Sequence, residues 1–515
     1  MQRRYRIHPA IGIARVGDSP DEYFIGPEVP GVPPSLGKPD ALPSPNSTYK
    51  DQKGRIKRQG ARFRIYEYTL DDAGAPTKIR EITTSNAQIE WRVNLANRKA
   101  AAPEFPKGQK RRNNKVPENK LIIDAGLQKI SGAGQNLKRL QGRFMDAIDV
   151  PLGDLLTDGA GRLIVLGGFG KSQSPSGNKL GNYANNDGWC DDTSDGPVQA
   201  SIKLKGATET IEADPAWVIV APPDFAPPIE NVVTLFDVVF NMMAKFDPSL
   251  AISDATKVSF TKDIYPILRR ASNMPWVSLD AAGGHQPGSF GHFISHLKRL
   301  SSNKSDDLPV RQMVFRKLRN PKGGGGTMPK LPTNTDTKIP GVSLTEVQYK
   351  RMERWANGKF EADWKGKEPA PRSLDKLADK SDKYHPLDRA ALEACTGGGF
   401  FPGIEVGQMM LKETTYDKKR PFRINAQHLP GELTAMMAVP WQADFLACAF
   451  DDDLNMDWWP GQRPNQVFRG QKQDEWVPPG WHFSDMVEKW SQLGFVVKEE
   501  STDRYVEDER SPDVK

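Results

Sequence analysis

Cysteine is scarce in this chain, with three residues among 515. A fold stabilised by disulfides needs more cysteines, and an odd number leaves at least one thiol unpaired. Long hydrophobic runs are also missing, since no stretch approaches the roughly 18 apolar residues of a membrane-spanning helix, and the basic N-terminus lacks an apolar signal-peptide core. We therefore expect no membrane segment, and either a cytoplasmic location or export without a conventional signal peptide.

A strong net charge is lacking too. The 71 Lys and Arg residues nearly balance the 65 Asp and Glu residues, which leaves a formal charge of +6. Nucleic-acid-binding proteins usually concentrate basic residues on one face. The densest basic stretch here, residues 107–115 (KGQKRRNNK), has no aromatic residues among its charges. We interpret it as a solvated loop and expect no nucleic-acid partner.

The patterns of common cofactors and metals are absent as well. No Gly-x-Gly-x-x-Gly fingerprint for FAD or NAD occurs. His292 and His296 have the i, i+4 spacing of a zinc helix but lack the glutamate between them. The acidic stretch 185–197 lacks the spacing of a calcium loop. We expect no metal, and interpret the histidines as surface or packing residues and the acidic stretch as a rigid turn between strands.

Glycine and proline are plentiful, at 45 and 42 residues, which predicts long loops. Up to about residue 220, short runs of β-branched and aromatic residues such as 62–68 (RFRIYEY) alternate with turn residues, a pattern typical of antiparallel strands. The segment 221–228 (APPDFAPP) marks a change to helical patterns. The sequence therefore predicts an α+β fold of two domains: a β-rich antiparallel domain at residues 1–225, and a mainly α-helical domain with long loops at residues 226–515.

Two helices of the second half have recognisable start signals. Ser343 and Glu346 form the pattern of a capping box, in which two side chains accept hydrogen bonds from the first amides of a helix. Ser484 is predicted to cap a second helix. The charged tail from Lys498 is expected to fray.

The strongest chemical signal lies near the C-terminus. Residues 439–448 (VPWQADFLAC) place Asp444 four residues before Cys448, and residues 458–464 (WWPGQRP) follow within a dozen residues. If the intervening loop folds back on itself, the sulfur can lie against an indole ring, with the carboxylate one helical turn before it. An acid, a thiol and an indole are the parts of a quinone cofactor made from protein side chains.

Several strings in the chain resemble the L-lysine 6-oxidase/glycine oxidase family of quinoproteins. They are residues 7–17 (IHPAIGIARVG), 53–59 (KGRIKRQ), 185–189 (NNDGW), 194–198 (SDGPV), 400–405 (FFPGIE) and the two C-terminal strings described above. These strings are long and unusual, and the resemblance extends from residue 7 to about residue 497, so chance is a poor explanation for all of them together.

The resemblance implies a cysteine tryptophylquinone (CTQ), in which the thiol of Cys448 is bonded to an oxidised indole. Trp459 is the preferred indole and Trp458 the alternative, because residue order does not decide which ring faces the sulfur. Asp444 is implied in cofactor formation. Desolvation among aromatic neighbours disfavours its ionised form, which suits an acid/base role; the alternative is that Asp444 caps or braces the turn. The connection at residues 451–453 is shorter than in longer relatives.

The family implies the oxidation of amino acids. A primary amine adds to a quinone carbonyl, a base removes the α-proton, and hydrolysis releases the oxidised product while the nitrogen stays on the reduced ring. O2 then reoxidises the ring to give hydrogen peroxide, and hydrolysis of the resulting imine releases ammonia. Lysine, at its side-chain amine, and glycine are the two substrates that the family offers. Its members also need a flavoprotein for cofactor maturation and form homo-oligomers, and we expect both here.

Four further residues are predicted to line the substrate pocket: Trp441, Phe401, Cys395 and His482. Cys395 precedes three glycines and two phenylalanines, which suits a pocket wall, although a small buried residue at a helix end is the alternative. For His482, the alternative interpretation is a structural histidine whose hydrogen bonds are made within the protein. His428 and His385 are weaker candidates.

Two other functions fit the same residues. The first is a quinoprotein dehydrogenase that passes electrons to a protein acceptor, and peroxide formation separates it from an oxidase. The second is a non-catalytic binding protein with an unmodified Cys448 and unmodified tryptophans. Intact mass and visible absorbance separate that protein from a CTQ enzyme.

Overall fold

The computed structural model describes residues 2–36, 47–105, 108, 110–135, 137–329, 343–370, 385–397, 406–447, 450–451, 456–457, 460–500 and 502–514. In this part of the chain, strands dominate up to Ala221 and helices dominate from Leu235 onward. This confirms the predicted α+β class with a β-rich first region and a mainly helical second region. The boundary between residues 225 and 226 stays a prediction.

The described N-terminal strands join in a 15-stranded sheet. They are β1 (Gln2–His8), β2 (Ile11–Arg15), β3 (Tyr23–Ile25), β4 (Arg58–Leu70), β5 (Pro76–Ile82), β6 (Ala87–Val93), β7 (Ala96–Asn97), β8 (Ile123–Asp124), β9 (Gln128–Ser131), β10 (Lys138–Phe144), β11 (Ile148–Thr157), β12 (Leu163–Gly167), β13 (Ser194–Leu204), β14 (Ile211–Glu212) and β15 (Ala216–Ala221). The main path is β10-β11-β12-β4-β2-β15-β13-β6-β9. Pairing is antiparallel except for β2 with β15 and β3 with β4, so the predicted antiparallel character is confirmed.

Strand β4 shows how the sequence pattern builds the sheet. Its side chains alternate between two faces, and on one face Phe63 and Ile65 are completely buried. On the other face Arg62 and Arg64 both donate to the carboxylate of Glu28. Both faces of β4 are therefore covered, one by the hydrophobic core and the other by an ion pair.

Helices and small hairpins make up the rest of the described chain. The helices are α1 (Leu235–Phe246), α2 (Tyr265–Asn273), α3 (Leu279–His285), α4 (Leu297–Leu300), α5 (Leu308–Arg316), α6 (Glu346–Ala356), α7 (Pro386–Glu393), α8 (Gly407–Met410), α9 (Trp441–Ala447) and α10 (Phe483–Lys489). The strands are β16 (Phe450–Asp451), β17 (Met456–Asp457), β18 (Gln466–Arg469), β19 (Lys472–Glu475), β20 (Phe495–Lys498) and β21 (Tyr505–Asp508). None of the described helices combines the length and the apolar character that crossing a membrane requires.

Both predicted helix starts are displaced by two residues. Helix α6 is capped by Thr345, whose hydroxyl accepts from the Gln348 amide while the Gln348 side chain accepts from the Thr345 amide. Helix α10 begins after His482, whose amide donates to the Asp485 carboxylate at 2.9 Å. Several residues near each start can serve as caps, and the packing of the helix selects among them.

The C-terminal tail docks on the N-terminal region, so the expectation that it frays is wrong for residues 502–514. Strands β20 and β21 form a hairpin. Phe495 stacks on Tyr49 with ring centroids 4.5 Å apart. The carboxylate of Glu509 accepts from the amides of Tyr49 and Lys50 at 2.9 and 2.7 Å. The charge of the tail predicts that it is exposed to solvent. Hydrogen bonds from backbone amides of the N-terminal region instead hold it against the protein.

Candidate functional site

Helix α9 is the centre of the candidate site. It follows Pro440, which is joined to Val439 by a cis peptide bond. Trp441 is 1 % exposed and Asp444 is 2 % exposed. Residues three apart on a helix lie on the same side, one turn from each other. Helix α9 therefore presents an indole and a carboxyl group next to each other inside the protein.

The N-terminal region holds the beginning of α9 through a buried ion pair. Nζ of Lys99 lies 2.5 Å from Oδ2 of Asp191, and both side chains are completely buried. The same Oδ2 accepts a hydrogen bond from the amide of Trp441 at 3.0 Å. On the other carboxylate oxygen, Oδ1, Asp191 accepts from Asn97 and Thr193. A carboxylate at the start of a helix satisfies a free amide and favours the helix dipole.

Further polar contacts fix the same segment. Asn186 donates to the carbonyl of Val439 at 3.0 Å. The buried Gln442 side chain donates to the carbonyl of Gly170 at 2.9 Å and accepts from the hydroxyl of Ser172 at 2.6 Å. Gly170 has a φ of +67°, and a side chain there would collide with the ring of Trp490. The loop after β12 is thus shaped to receive α9.

Arg112 corrects the interpretation of the basic stretch. Its side chain is completely buried, not solvated. The guanidinium donates to the carbonyls of Met437 at 2.8 Å and Lys99 at 3.1 Å, and to Oδ1 of Asn185 at 3.0 Å. Burial lowers the pKa of Arg112 to about 10. Arg112 therefore joins the acidic stretch to the chain that leads into α9.

Aromatic rings surround the other side of α9. The Trp441 ring makes edge contacts with Phe445 and Trp490 at centroid distances of 5.0 and 5.2 Å. Phe445 also contacts Phe225 at 6.1 Å, and Phe225 packs on Trp476 at 4.7 Å. The indole Nε1 of Trp441 is buried without a hydrogen-bond partner in the part of the chain that the structure describes. These rings exclude water from the region around Asp444.

Arg463, from the WWPGQRP string, binds the end of α9. Its Nε donates to the carbonyl of Phe445 at 2.6 Å, and its NH2 group donates to that of Leu446 at 3.3 Å. A cation at the C-terminal end of a helix satisfies free carbonyls and complements the helix dipole. The described end of the string is therefore tied back to the helix that precedes Cys448.

The loop between the two C-terminal strings does turn back on itself. Strands β16 and β17 pair in antiparallel fashion, with Phe450 opposite Asp457 and Asp451 opposite Met456. The predicted fold-back is thus found in the described residues of this loop. Cys448, Trp458 and Trp459 lie outside the described residues, so their predicted cross-link stays a prediction.

Two hydrogen bonds link the residue that follows Cys395 to Gly461 of the WWPGQRP string. The thiol is buried, 3 % exposed, and donates to the carbonyl of Ala391 at 3.3 Å. The next residue, Thr396, accepts from Asn231 at 2.8 Å, and Asn231 accepts from the amide of Gly461 at 3.2 Å. Cys395 therefore sits at a helix end, as its alternative interpretation proposes, and also beside the chain that carries the tryptophans.

A cavity of about 1040 Å³ lies on this side of the molecule. It is lined by parts of both regions, including Arg15, Pro223 and Ala394. Arg15 lies 3.6 Å from the thiol of Cys395, and Pro223 accepts a hydrogen bond from Gln462. The cavity therefore extends close to Cys395 on one side and close to Gln462 of the WWPGQRP string on the other.

The other predicted pocket residues are placed differently. His482 is exposed at the start of α10. Phe401 lies outside the described residues. His385 is buried and stacks on His8 at 4.3 Å, and His428 lies 2.9 Å from a carboxylate oxygen of Glu432. Trp441 and Asp444 are the two predicted residues that the structure places together.

The zinc-like histidine pair does not share an α-helix. His292 precedes a 3₁₀ turn over Phe293–His296, and its Nδ1 lies 2.7 Å from the hydroxyl of Ser295. Among the described residues, no group of three or more His, Cys, Asp or Glu side chains is arranged to hold a metal ion.

Sequence reasoning missed Lys99 and Asp191. Asp191 belongs to the acidic stretch that was interpreted as a turn, and the stretch does connect two strands, β12 and β13. Its density of Asn and Asp side chains was the available signal, but the sequence does not show that these groups face a helix 250 residues away. Lys99 carried no signal, because a single lysine near a strand end is usually exposed.

Comparisons with known proteins identify relatives of this chain. The family model of the L-lysine epsilon oxidase N-terminal domain matches residues 8–220, and that of the C-terminal domain matches residues 326–471. L-lysine 6-oxidase from Marinomonas mediterranea is 28% identical over 546 residues, which cover 86% of this chain and 70% of that protein.

Solved structures show the same fold. The crystal structure of the Schiff base intermediate of L-Lys epsilon-oxidase from Marinomonas mediterranea with L-Lys superposes with a TM-score of 0.78 at 22% identity, covering 98% of this chain and 95% of that chain. A second structure of the epsilon-lysine oxidase from that organism gives a TM-score of 0.77, again at 22% identity, over 98% of this chain and 95% of that chain. With both domain models matched along most of its length, the chain belongs to the L-lysine epsilon oxidase family.

Proposed function

We propose that this protein is an amino-acid oxidase that oxidises a primary amine of a lysine- or glycine-like substrate. Its cofactor is a cysteine tryptophylquinone formed from Cys448 and Trp459, and O2 is the electron acceptor. The observation that carries the proposal is the hairpin β16–β17, closed at its base by Arg463, in a chain that belongs to this family.

Trp459 is the proposed partner of Cys448, and Trp458 is the alternative. The described part of the hairpin, in which Phe450 lies opposite Asp457, brings together the two chain segments that lead to these residues. This fold-back supports a thioether between the cysteine and one of the two indoles.

The quinone supplies an electrophilic carbonyl and accepts two electrons, which no ordinary side chain does. The other tasks fall to residues around α9. Asp444, buried beside Trp441 and Phe445, takes the proton from the substrate carbon on a carboxylate oxygen. The rings of Trp441, Phe445 and Trp490 keep water from this carboxylate, and Arg463 holds the end of the helix in place.

The substrate reaches the site from the 1040 Å³ cavity that borders Arg15 and Ala394. The relatives named above act on lysine at its side-chain amine. The cavity is lined by both carboxylates and cations, among them the ion pair of Glu230 and Arg269, which gives it the polar character that suits a substrate bearing both charges. We keep glycine as the alternative substrate. Maturation by a flavoprotein and assembly into homo-oligomers are part of the proposal.

The test is the mass of the intact protein produced together with its maturation partner, followed by peptide mapping. We expect the mass of two added oxygen atoms less the hydrogens lost on forming the thioether and the quinone. Trp459→Phe should abolish this gain, and the matched variant Trp458→Phe should retain it. An unmodified mass in all three matured proteins would exclude the CTQ and favour the binding protein.

Turnover then separates the remaining alternatives. An oxidase consumes O2 and releases hydrogen peroxide and ammonia in step with amine. A dehydrogenase with the same cofactor reduces an added protein acceptor and forms no peroxide. Lysine and glycine, supplied separately, identify the substrate from the product each yields.

A further inference from the structure

Helix α2 and the 3₁₀ turn that continues it form one wall of the 1040 Å³ cavity. Tyr265, Arg269, Asn273 and Trp276 all border the cavity and follow one another at intervals of four, four and three residues. Side chains at this spacing lie on one face of a helix. The rise of 1.5 Å per helical residue places Tyr265 about 12 Å from Asn273, the length of about three to four residues of extended chain. The α2 wall is therefore longer than a free amino acid.

Asn273 has an unpartnered side chain on the α2 wall. The residue is 8 % exposed, and its amide forms no hydrogen bond with any residue that the structure describes. A nearly buried amide is costly to leave unpaired, because it loses bulk water without gaining a partner. Since Asn273 borders the cavity, a bound molecule can complete its hydrogen bonds. An asparagine amide both donates and accepts, as a peptide group does.

Aromatic pairs lie on the α2 wall on both sides of Asn273 in the chain. The Tyr265 ring packs on Trp364 with ring centroids 4.4 Å apart. The Trp276 ring lies 6.0 Å from that of Tyr505. All four aromatic residues border the cavity, and aromatic-lined grooves are a common means of binding extended peptides. The unpaired amide therefore belongs to a surface with the chemistry of a peptide-binding groove.

The size of the cavity indicates the same class of ligand. A volume of about 1040 Å³ lies at the upper end of the range of roughly 300–1,000 Å³ that is typical for drug-sized ligands, whereas free lysine and glycine are much smaller. The lining includes the buried residues Arg15 and Pro223 and the exposed residues Lys367 and Glu368. A bound chain can thus have one part inside the protein and another part in solvent.

We propose that the substrate amine belongs to a peptide, which lies along the α2 wall, pairs one of its peptide groups with the Asn273 amide and extends its amine toward the buried end of the cavity at Arg15. This inference rests on the proposed function, because it names the class of amine that the quinone oxidises. A free amino acid leaves the Asn273 amide unpaired and therefore reacts less efficiently.

The first test compares peptides with free amino acids on matured enzyme. Acetyl-Ala-Lys-Ala-amide is matched to lysine, and Gly-Ala-Ala-amide is matched to glycine. In the pair that reacts, kcat/KM for ammonia release should be about tenfold higher for the peptide. Asn273→Leu, which removes the amide at similar volume, should abolish this advantage and leave kcat/KM for the free amino acid within about twofold. An equal or higher kcat/KM for the free amino acid in the parent enzyme would overturn the inference.

The second test measures binding without turnover. Acetyl-Ala-norleucine-Ala-amide lacks the reactive amine and is titrated by calorimetry into the full-length protein. Its Kd should rise about tenfold in Asn273→Leu and stay unchanged in the control Asn303→Leu, because Asn303 is exposed and does not border the cavity. The same peptide with N-methylated amides should bind the parent protein about tenfold more weakly, which tests the hydrogen bond even if Asn273→Leu does not fold. No binding, or binding that neither change weakens, would contradict the proposal.

The inference and the proposed function fail in different ways. If matured protein contains no CTQ and oxidises no amine, the proposed function is refuted, whereas binding of the norleucine peptide that depends on Asn273 still supports a peptide site. If a free amino acid is oxidised and the peptides neither react nor bind, the inference is overturned and the proposed function stands.

Discussion

Two buried charged clusters join the N-terminal sheet to C-terminal helices, and they differ in which helix each one contacts. The Lys99 cluster comprises Lys99, Asp191 and Thr193 and holds the beginning of α9. The His8 cluster comprises His8, Tyr68, His385, Asp388 and Arg423. One cluster borders the candidate site, and the other joins β1 and β4 to helix α7.

The His8 cluster satisfies its charge internally. Nδ1 of His8 lies 2.9 Å from Oδ1 of Asp388, its Nε2 lies 3.0 Å from the Tyr68 hydroxyl, and Ala10 donates its amide to Asp388 at 2.6 Å. Burial opposes the ionisation of Asp388, but His8 and Arg423 outweigh it and lower the pKa of Asp388 to about 2.

The comparison teaches that burial of charge does not by itself indicate function. Asp388 is an anion whose partners all belong to the joint between the two regions. The Lys99 cluster also contacts the helix that precedes Cys448, because Asp191 accepts a hydrogen bond from the amide of Trp441. The link to a reactive segment, and not the burial, distinguishes the two clusters.

The largest expected effect is on the stability of the His8 cluster. Asp388→Asn removes the buried anion that His8 contacts at 2.9 Å and that accepts from the Ala10 amide, and should cost about 3–5 kcal/mol of unfolding free energy. It should not move the acidic limb of the kcat/KM profile. Asp417→Asn is the control, because its partner Arg420 is 31% exposed, and should cost about 0–1 kcal/mol. A shifted pH profile in Asp388→Asn would remove the distinction between the clusters.

Asp192, which follows Asp191 in the chain, should show the opposite effect on stability: its replacement by asparagine should raise the free energy of unfolding. Burial and then the charge of Asp191 raise its pKa from 3.8 to about 7. A carboxyl with a raised pKa stabilises the fold below pH 3.8, and this contribution is lost as the pH rises to about 7. Asp192→Asn should therefore gain about 2–4 kcal/mol relative to the parent between pH 4 and pH 7. Urea unfolding at several pH values checks this, and a constant difference would contradict it.

A smaller effect is expected for His385. Burial, and then the charge of His8, lower its pKa well below 6.5, and its Nε2 is buried without a hydrogen-bond partner in the described chain. A histidine with a lowered pKa contributes stability above pH 6.5 that is lost as the pH falls. His385→Phe should thus reduce the acid sensitivity by up to about 1.4 kcal/mol per pH unit below 6.5. His428→Phe is the control, and equal changes in both variants would contradict the expectation.

The sequence predicted local patterns better than distant contacts. The strand content before residue 221, the helices after it and the turn between the two C-terminal strings were all predictable, because they follow from periodicity and turn residues. The caps of α6 and α10 were displaced by two residues, since neighbouring polar residues have similar capping ability. Arg112 and the tail at Glu509 were misjudged, because their charge predicts exposure and only their buried partners reverse it.

The sequence by itself determined the fold class, the family and the acid, thiol and indole that define the proposed cofactor, because these depend on residue types at short spacing. Only the tertiary structure decided that Lys99, Asp191 and Arg112 hold the helix that carries Asp444. These contacts join positions up to 325 residues apart. The burial that makes a charge influential is a property of the assembled protein, and no local pattern encodes it.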